Sequence, residues 1–143
     1  MGKKRIVAKG DTEGVGSGAK AGGAAKKRSL DRAVLHVAAT YNNTRLALTD
    51  EQGAVVASSS SGGLGFHGAK KGTPFAAAKV GEAMATKALA FGIREVSVVV
   101  RGVGAGRESS IRSFAGKGVA IGSIRDATPV PHNGPRPPRP RRV

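Results

Sequence analysis

The stretch AVLHVAATYNNTRLALTDEQGAVVASSSS, residues 33–61, decides the fold of this chain. It holds three runs rich in Ala, Val and Leu that fit short β-strands: residues 33–40, 45–49 and 54–61. The segments between them, YNNT (41–44) and DEQG (50–53), carry the Asn, Asp and Gly residues that favour tight turns. Three consecutive strands joined by short turns predict an antiparallel meander.

A helical pattern follows the meander, between Pro74 and Phe91. Thr73 and Pro74 supply the signals of a helix N-terminus, and Gly92 supplies a stop. Apolar residues recur at spacings of three and four, as they do on the buried face of a helix: Ala77, Val80, Met84, Ala88 and Phe91. We therefore predict a helix that packs against the sheet through this stripe.

Two more strands and a shorter helix complete the predicted domain. The strands are residues 94–101 and 119–125, and a helix near residues 107–116 lies between them. This helix is expected to bury Ile111, Phe114 and Ala115. The order βββαβαβ predicts an α/β domain, a five-stranded mixed sheet covered by helices, and resembles the ribonuclease-H-like fold.

The charge of the chain is concentrated at its two ends. The 143 residues carry a formal net charge of +15, of which residues 1–32 carry +6, residues 33–128 carry +5 and residues 129–143 carry +4. We predict three parts from this: a flexible basic N-terminal arm, an α/β domain that binds nucleic acid and an extended C-terminal arm. Such an excess of cations favours a nucleic acid as partner and a binding affinity that falls steeply with salt.

The C-terminal segment PVPHNGPRPPRPRRV, residues 129–143, contains six of the seven prolines, four arginines and no acidic residue. Proline fixes φ and removes a backbone donor, so this segment is expected to be extended and polyproline-like. Arginines on such an arm can fork onto phosphates. The alternative interpretation is a solvated tail without a partner.

Two glycine-rich loops, SGGLGFHGAKKG (61–72) and GVGAG (102–106), lie beside basic residues. Neither fits a nucleotide-binding motif, because no GxxxxGK[ST] is present and the third glycine of a dinucleotide motif falls on Arg107. Single glycines usually make turns. Two loops bordered by Lys70 and Lys71, and by Arg107 and Arg112, together favour contact with phosphates.

Several function classes are excluded or disfavoured by composition. The chain has no cysteine, and its three histidines lack metal-ligand spacing. The first strand has no acidic residue, although a ribonuclease-H-like nuclease needs clustered carboxylates to hold metal. We therefore predict no enzyme, no metal, no cofactor and no membrane partner, in a soluble intracellular protein. A metal-dependent nuclease and a DNA-compacting protein remain the rival hypotheses.

Four motifs in order resemble the bacterial-type ribosomal protein eleven of the small subunit, over about residues 33–143. They are ATYNNT (39–44), SGGLGFHGAKKGTPFAA (61–77), GAGRESSIRSF (104–114) and SIRDATPVPHNGPRPP (123–138). The chain departs from the family pattern at a few places, among them His67, where Lys is common, and Pro135, where Cys is common.

The resemblance implies a ribonuclease-H-like fold without catalysis, on the platform of the small ribosomal subunit in the cytoplasm or in an organelle. It implies binding to small-subunit rRNA, a place near the mRNA exit path and its Shine–Dalgarno helix, and small-subunit proteins six, seven, eighteen and twenty-one as neighbours. The positions expected to contact RNA are carried over by motif: Asn42, Asn43, Lys70, Lys71, Arg107, Arg112, His132, Asn133, Arg136 and Arg139.

Overall fold

The computed structural model describes residues 30–136 and residue 138. Nearly all of the predicted N-terminal arm and part of the C-terminal arm, including Arg139, lie outside the described residues. The described strands are β1 (Arg32–Ala39), β2 (Thr44–Thr49), β3 (Val55–Ser60), β4 (Glu95–Arg101) and β5 (Ala120–Asp126). The helices are α1 (Pro74–Ala90) and α2 (Gly106–Ala115), and a short 3₁₀ helix covers Gly68–Gly72.

The five strands form one mixed sheet in the order β3-β2-β1-β4-β5. Strands β1, β2 and β3 pair antiparallel, whereas β4 lies parallel to β1 and β5 lies parallel to β4. The predicted meander, the mixed sheet and the order βββαβαβ are confirmed, with each strand and helix boundary within one residue of its predicted position. The 3₁₀ helix inside the first glycine-rich loop was not predicted.

Both helices cover the same face of the sheet, and alternation along the strands shows which one. In β1, Leu35 and Val37 are fully buried while His36 between them is only half-buried. The buried positions join one apolar cluster with Val80 and Met84 of α1. The predicted stripe of α1 is confirmed: Ala77, Val80, Met84 and Ala88 are fully buried and Phe91 is half-buried.

The buried side of α2 differs in part from the prediction. Phe114 is fully buried as expected, and Ile111 is half-buried and packs against the core cluster, whereas Ala115 is half-buried without joining that cluster. The helix turns its Ser110 backbone toward α1, where the Ser110 carbonyl leaves no room for a Cβ at Gly81. Gly106 and Ser110 lie on the side of α2 that faces α1 and are its other buried positions.

In the described part of the chain, no helix is both long and apolar enough to cross a membrane.

Candidate nucleic-acid interface

Four connecting segments meet at one end of the sheet. Because β1, β3, β4 and β5 run in the same direction, their carboxyl ends lie together. The segments that leave these ends are residues 40–43, 61–73, 102–105 and the chain from residue 127. We call this edge the loop end. It carries both glycine-rich loops and the start of the C-terminal arm, which the linear sequence keeps far apart.

Ser61 ties the first two segments together. Its side chain is fully buried, and its Oγ accepts a hydrogen bond from the Thr44 amide at 3.2 Å. The same oxygen lies 2.8 Å from the Lys71 carbonyl and 2.5 Å from Asn43 Oδ1, which are both acceptors for its one proton. This hydroxyl therefore links the β1–β2 hairpin to the cationic loop at the position of Lys71.

Gly104 brings the second glycine-rich loop against the hairpin. Its amide donates to the Ala39 carbonyl at 2.9 Å. A Cβ at this position would collide with the Thr40 carbonyl, so only glycine allows the two backbones to lie this close. The structure gives this glycine a packing role, beside the phosphate contact that the sequence suggested for the loop.

An ion pair holds the start of the C-terminal arm. Arg107, at the beginning of α2, donates from Nη2 to Asp126 Oδ2 at 2.6 Å and from Nη1 to the Gly102 carbonyl. Thr128 donates its amide and its hydroxyl to Asp126 Oδ1, at 2.9 and 2.6 Å. The Gly102 amide in turn donates to Thr128 Oγ1 at 3.1 Å. We call Gly102, Arg107, Asp126 and Thr128 the arm clamp.

The clamp favours the charged form of Asp126. The hydrogen bond from the Thr128 hydroxyl and the one from the Arg107 guanidinium hold the pKa of Asp126 well below its usual range. The carboxylate is therefore ionised at neutral pH, where the ion pair persists. Arg107, whose side chain is 30 % exposed, has most of its donors engaged within the protein.

The described part of the arm leaves the body after the clamp. The Ala127 amide donates to the Val100 carbonyl at 2.8 Å, and within the described residues the last hydrogen bonds to the body are those of Thr128. His132, Asn133 and Arg136 are exposed, and Asn133 has a left-handed φ of 57°. These three predicted RNA-contacting residues are thus open to a partner, and Arg139 lies outside the described residues.

The predicted residues of the loops fall into two groups. Asn42 and Lys70 are exposed at the loop end, with Lys71 half-buried beside them in the 3₁₀ helix. Asn43 turns its side-chain oxygen toward Ser61, and Arg107 lies in the clamp. The second pair thus shapes the loop end from within, and RNA contact by any of the five stays a prediction.

Arg112 does not join the others. It lies on α2 about 9 Å further along the helix axis than Gly106. There it is exposed and lines a groove between α2 and β5 together with Ile121 and Ile124. An RNA contact by Arg112, if made, requires a ligand that extends around the side of the domain.

Sequence reasoning missed Ser61, Asp126 and Thr128 as organisers of this surface. The spacing of Asp126 and Thr128 is that of a local Asx-type turn and could have been noticed. Their pairing with Arg107 depends on where β5 ends relative to α2, which only the folded sheet fixes. Within residues 30–136 and 138, no group of three or more His, Cys, Asp or Glu side chains could hold a metal ion.

Known proteins match this chain over a region that includes all four segments of the loop end. The family model described as ribosomal protein S11 matches residues 33–142. The chain belongs to the ribosomal protein S11 family. A relative in Acaryochloris marina (strain MBIC 11017), the small ribosomal subunit protein uS11, is 48 % identical over 124 residues, which cover 87 % of this chain and 95 % of that relative. The resemblance drawn from the four sequence motifs is thereby confirmed.

The S11 family match includes every residue that forms the loop end. It extends from the second residue of β1 through both glycine-rich loops and the arm clamp into the C-terminal arm. The loop end is thus part of what this chain shares with ribosomal proteins.

Proposed function

We propose that this protein is a structural constituent of the small ribosomal subunit that binds small-subunit rRNA through the loop end and the C-terminal arm. The observation that carries the proposal is the convergence of two glycine-rich loops and the basic arm on one edge of a rigid sheet. Family membership and the name of the relative in Acaryochloris marina support it.

The binding mechanism combines a preformed surface with segments that become ordered. The arm clamp and the hydrogen bonds of Ser61 fix the loops before RNA arrives. Ordering the loops therefore adds little entropic cost to binding. The arm beyond Thr128 orders along phosphates, which lowers the net gain but extends the reach of the domain. The protein acts by holding RNA segments in place, without catalysis and without a cofactor.

The finer placement follows the family resemblance. The protein lies on the platform of the small subunit, beside the mRNA exit path where the Shine–Dalgarno helix forms. Small-subunit proteins six, seven, eighteen and twenty-one are its neighbours, and the ribosome, cytoplasmic or organellar, is its location. The observed strand order supports a ribonuclease-H-like domain that has been put to RNA binding alone.

Deletion of residues 129–143 tests the proposal and leaves the arm clamp intact. The full chain should sediment with small subunits after a wash at roughly half-molar salt, where diffuse charge binding is already lost. The truncated chain should be released at lower salt. For its binding to purified small-subunit rRNA, the slope of log K against log salt should be shallower by about three to four.

A matched control replaces the four arginines of the arm by glutamine and keeps its prolines. It should reproduce the deletion if charge, rather than chain length, carries the contact. Equal salt retention of all three proteins would contradict the role of the arm. Migration with the nucleoid would favour the DNA-compacting hypothesis, and magnesium-dependent RNA cleavage would favour the nuclease.

A further inference from the structure

The face of the sheet opposite α1 and α2 carries no other element in the described part of the chain. We call it the open face. Strand register places two rows of side chains on it near the loop end. The first row is Arg45, Ala38 and Arg101 on β2, β1 and β4; the second is Ala47, His36, Val99 and Arg125 on β2, β1, β4 and β5.

Three arginines give the open face its charge. Arg45, Arg101 and Arg125 are exposed, and none of them forms an ion pair with another described residue. The acidic residue that the register places on this face, Glu95, lies at the opposite end of β4 and is paired with Arg32 at 3.2 Å. The half of the face nearest the loop end is therefore purely cationic.

The shape of the open face is as informative as its charge. None of the five strands contains Phe, Tyr or Trp, and the aromatic ring that they place on this face is the single imidazole of His36, so the face lacks a run of rings on which successive unpaired bases could stack. Between the arginines lie small side chains, Ala38 and Ala47, and the His36 ring is held at 3.1 Å from Thr49 Oγ1. This is a low surface with cationic groups on both sides.

An RNA duplex has the matching geometry. The minor groove of A-form RNA is wide and shallow and presents 2′-hydroxyls between two phosphate backbones. Arg45 and Arg101 flank Ala38 across two strand spacings, about 10 Å, and Arg125 lies one strand further on. Ala38 between Arg45 and Arg101 leaves room for such a groove, and the spacing of the arginines is comparable to the separation of its two backbones.

We propose that the open face is a second RNA-binding surface, which receives the minor groove of a base-paired segment of rRNA. Arg45 contacts one strand of that segment, and Arg101 and Arg125 contact the other. This inference rests on the proposed function and extends it, since it adds a surface distinct from the loop end and names double-helical RNA as its ligand. The arginines lie beside the loop end, so both surfaces can serve one folded RNA.

Charge replacement gives the first test, with small-subunit rRNA as the probe. The variant R45Q/R101Q/R125Q should reduce the slope of log K against log salt by about two to three. The control R94Q removes a charge from an exposed position at the opposite end of the sheet, and should change the slope by much less than one. Equal slopes for the two variants would overturn the inference.

Directed cleavage gives a second test that does not depend on the stability of the arginine variant. The chain has no cysteine, so Ser97→Cys on the open face and Thr86→Cys on exposed α1 each provide a single site for tethered iron. Hydroxyl radicals from position 97 should cut both strands of a base-paired segment at positions that face each other across the minor groove. Position 86 should leave that segment intact.

The outcomes separate the inference from the proposed function. No RNA cleavage from position 97, cleavage confined to unpaired loops, or crosslinking of position 97 to a protein in assembled subunits would each overturn the duplex-binding face. Salt retention of the full chain and weakening by arm deletion would then still stand for the proposed function. Failure of the unaltered chain to bind small-subunit rRNA would overturn both.

Discussion

The two ends of the sheet differ in the length and packing of the segments that connect the strands. At the loop end, loops of up to thirteen residues, 61–73, pack backbone against backbone and carry Lys70, Lys71 and the arm. At the opposite end, the β2–β3 turn closes with hydrogen bonds from the Gly53 amide to the Asp50 carbonyl at 3.0 Å and from the Asp50 amide to the Ala54 carbonyl at 2.9 Å. One end is an elaborated surface, and the other is a minimal connection.

The charges follow the same division. Four of the described acidic residues lie at the opposite end of the sheet: Asp31, Asp50, Glu51 and Glu95. At the loop end, Asp126 is neutralised by Arg107, and Glu108 stands near it in the first turn of α2. A domain polarised in this way approaches a polyanion with its loop end first, because phosphates are attracted there and repelled by the acidic turns.

The largest difference between the two ends should appear when a side chain is added to a glycine. Gly104→Val places a Cβ against the Thr40 carbonyl and must push the loop away from the hairpin. We expect the free energy of unfolding to fall by about 3 kcal/mol, as overpacking of a close contact does. Urea unfolding followed by circular dichroism measures it.

Gly53→Asn is the matched change at the opposite end. Gly53 has a φ of 88° but no atom within reach of an added Cβ, and Asn tolerates the left-handed region. This substitution should lower the free energy of unfolding by less than about 1 kcal/mol. If both substitutions cost the same, close backbone packing does not distinguish the loop end.

The sequence predicted the fold well because its local signals agree with one another. Thr73 caps α1 by accepting from the Ala76 amide at 3.3 Å, and Gly92, with a φ of 80°, follows the end of that helix as expected. Strand alternation and turn residues placed the meander in the same way. The burial of Gly106 and Ser110 in α2 was missed because it depends on how closely α1 approaches α2, which the spacing of apolar residues does not show.

The candidate site was predictable in its parts and not in its assembly. Basic residues next to glycines identified the loops, and proline identified the arm. That Ser61 joins two loops, or that Arg107 turns inward to Asp126, depends on contacts between residues 10 to 19 positions apart. Sequence motifs therefore located the surface but assigned to RNA contact some residues that are engaged in holding it together.

A smaller effect is expected when the arm clamp is loosened. Asp126→Asn removes the charge that holds Arg107 and weakens the acceptor for Thr128. The amides of Ala127 and Thr128 should exchange hydrogen faster, and binding of small-subunit rRNA should weaken a few-fold because the arm starts from a less fixed position. Amide exchange by NMR and titration with small-subunit rRNA measure the two effects.

The pH dependence of the clamp has a definite sign. Because the pKa of Asp126 is lowered in the folded protein, its contribution is fully present above the ordinary carboxyl pKa of about 4. It is lost only as the pH falls further, through the lowered value. Protection of the Thr128 amide should follow this course in the unaltered chain and in the control Glu108→Gln, and should be pH-independent in Asp126→Asn.

The smallest effect is expected at the opposite end, at the pair of Arg32 and Glu95. Their side chains are 72 % and 47 % exposed and 3.2 Å apart, so solvent and salt screen the attraction. Arg32→Gln should lower the free energy of unfolding by less than about 0.5 kcal/mol. A double-mutant cycle with Glu95→Gln isolates the pair, and a coupling well above 1 kcal/mol would contradict this.

The same substitution sharpens the comparison of the two ends through RNA binding. Arg32 and Arg101 lie on the open face at opposite ends of the sheet, and each substitution by glutamine removes one positive charge. If net charge alone attracted RNA, the two variants would lose affinity for small-subunit rRNA equally. A polarised domain predicts that Arg101→Gln weakens binding several-fold while Arg32→Gln stays within about twofold, because the charge of Arg32 is already compensated by Glu95.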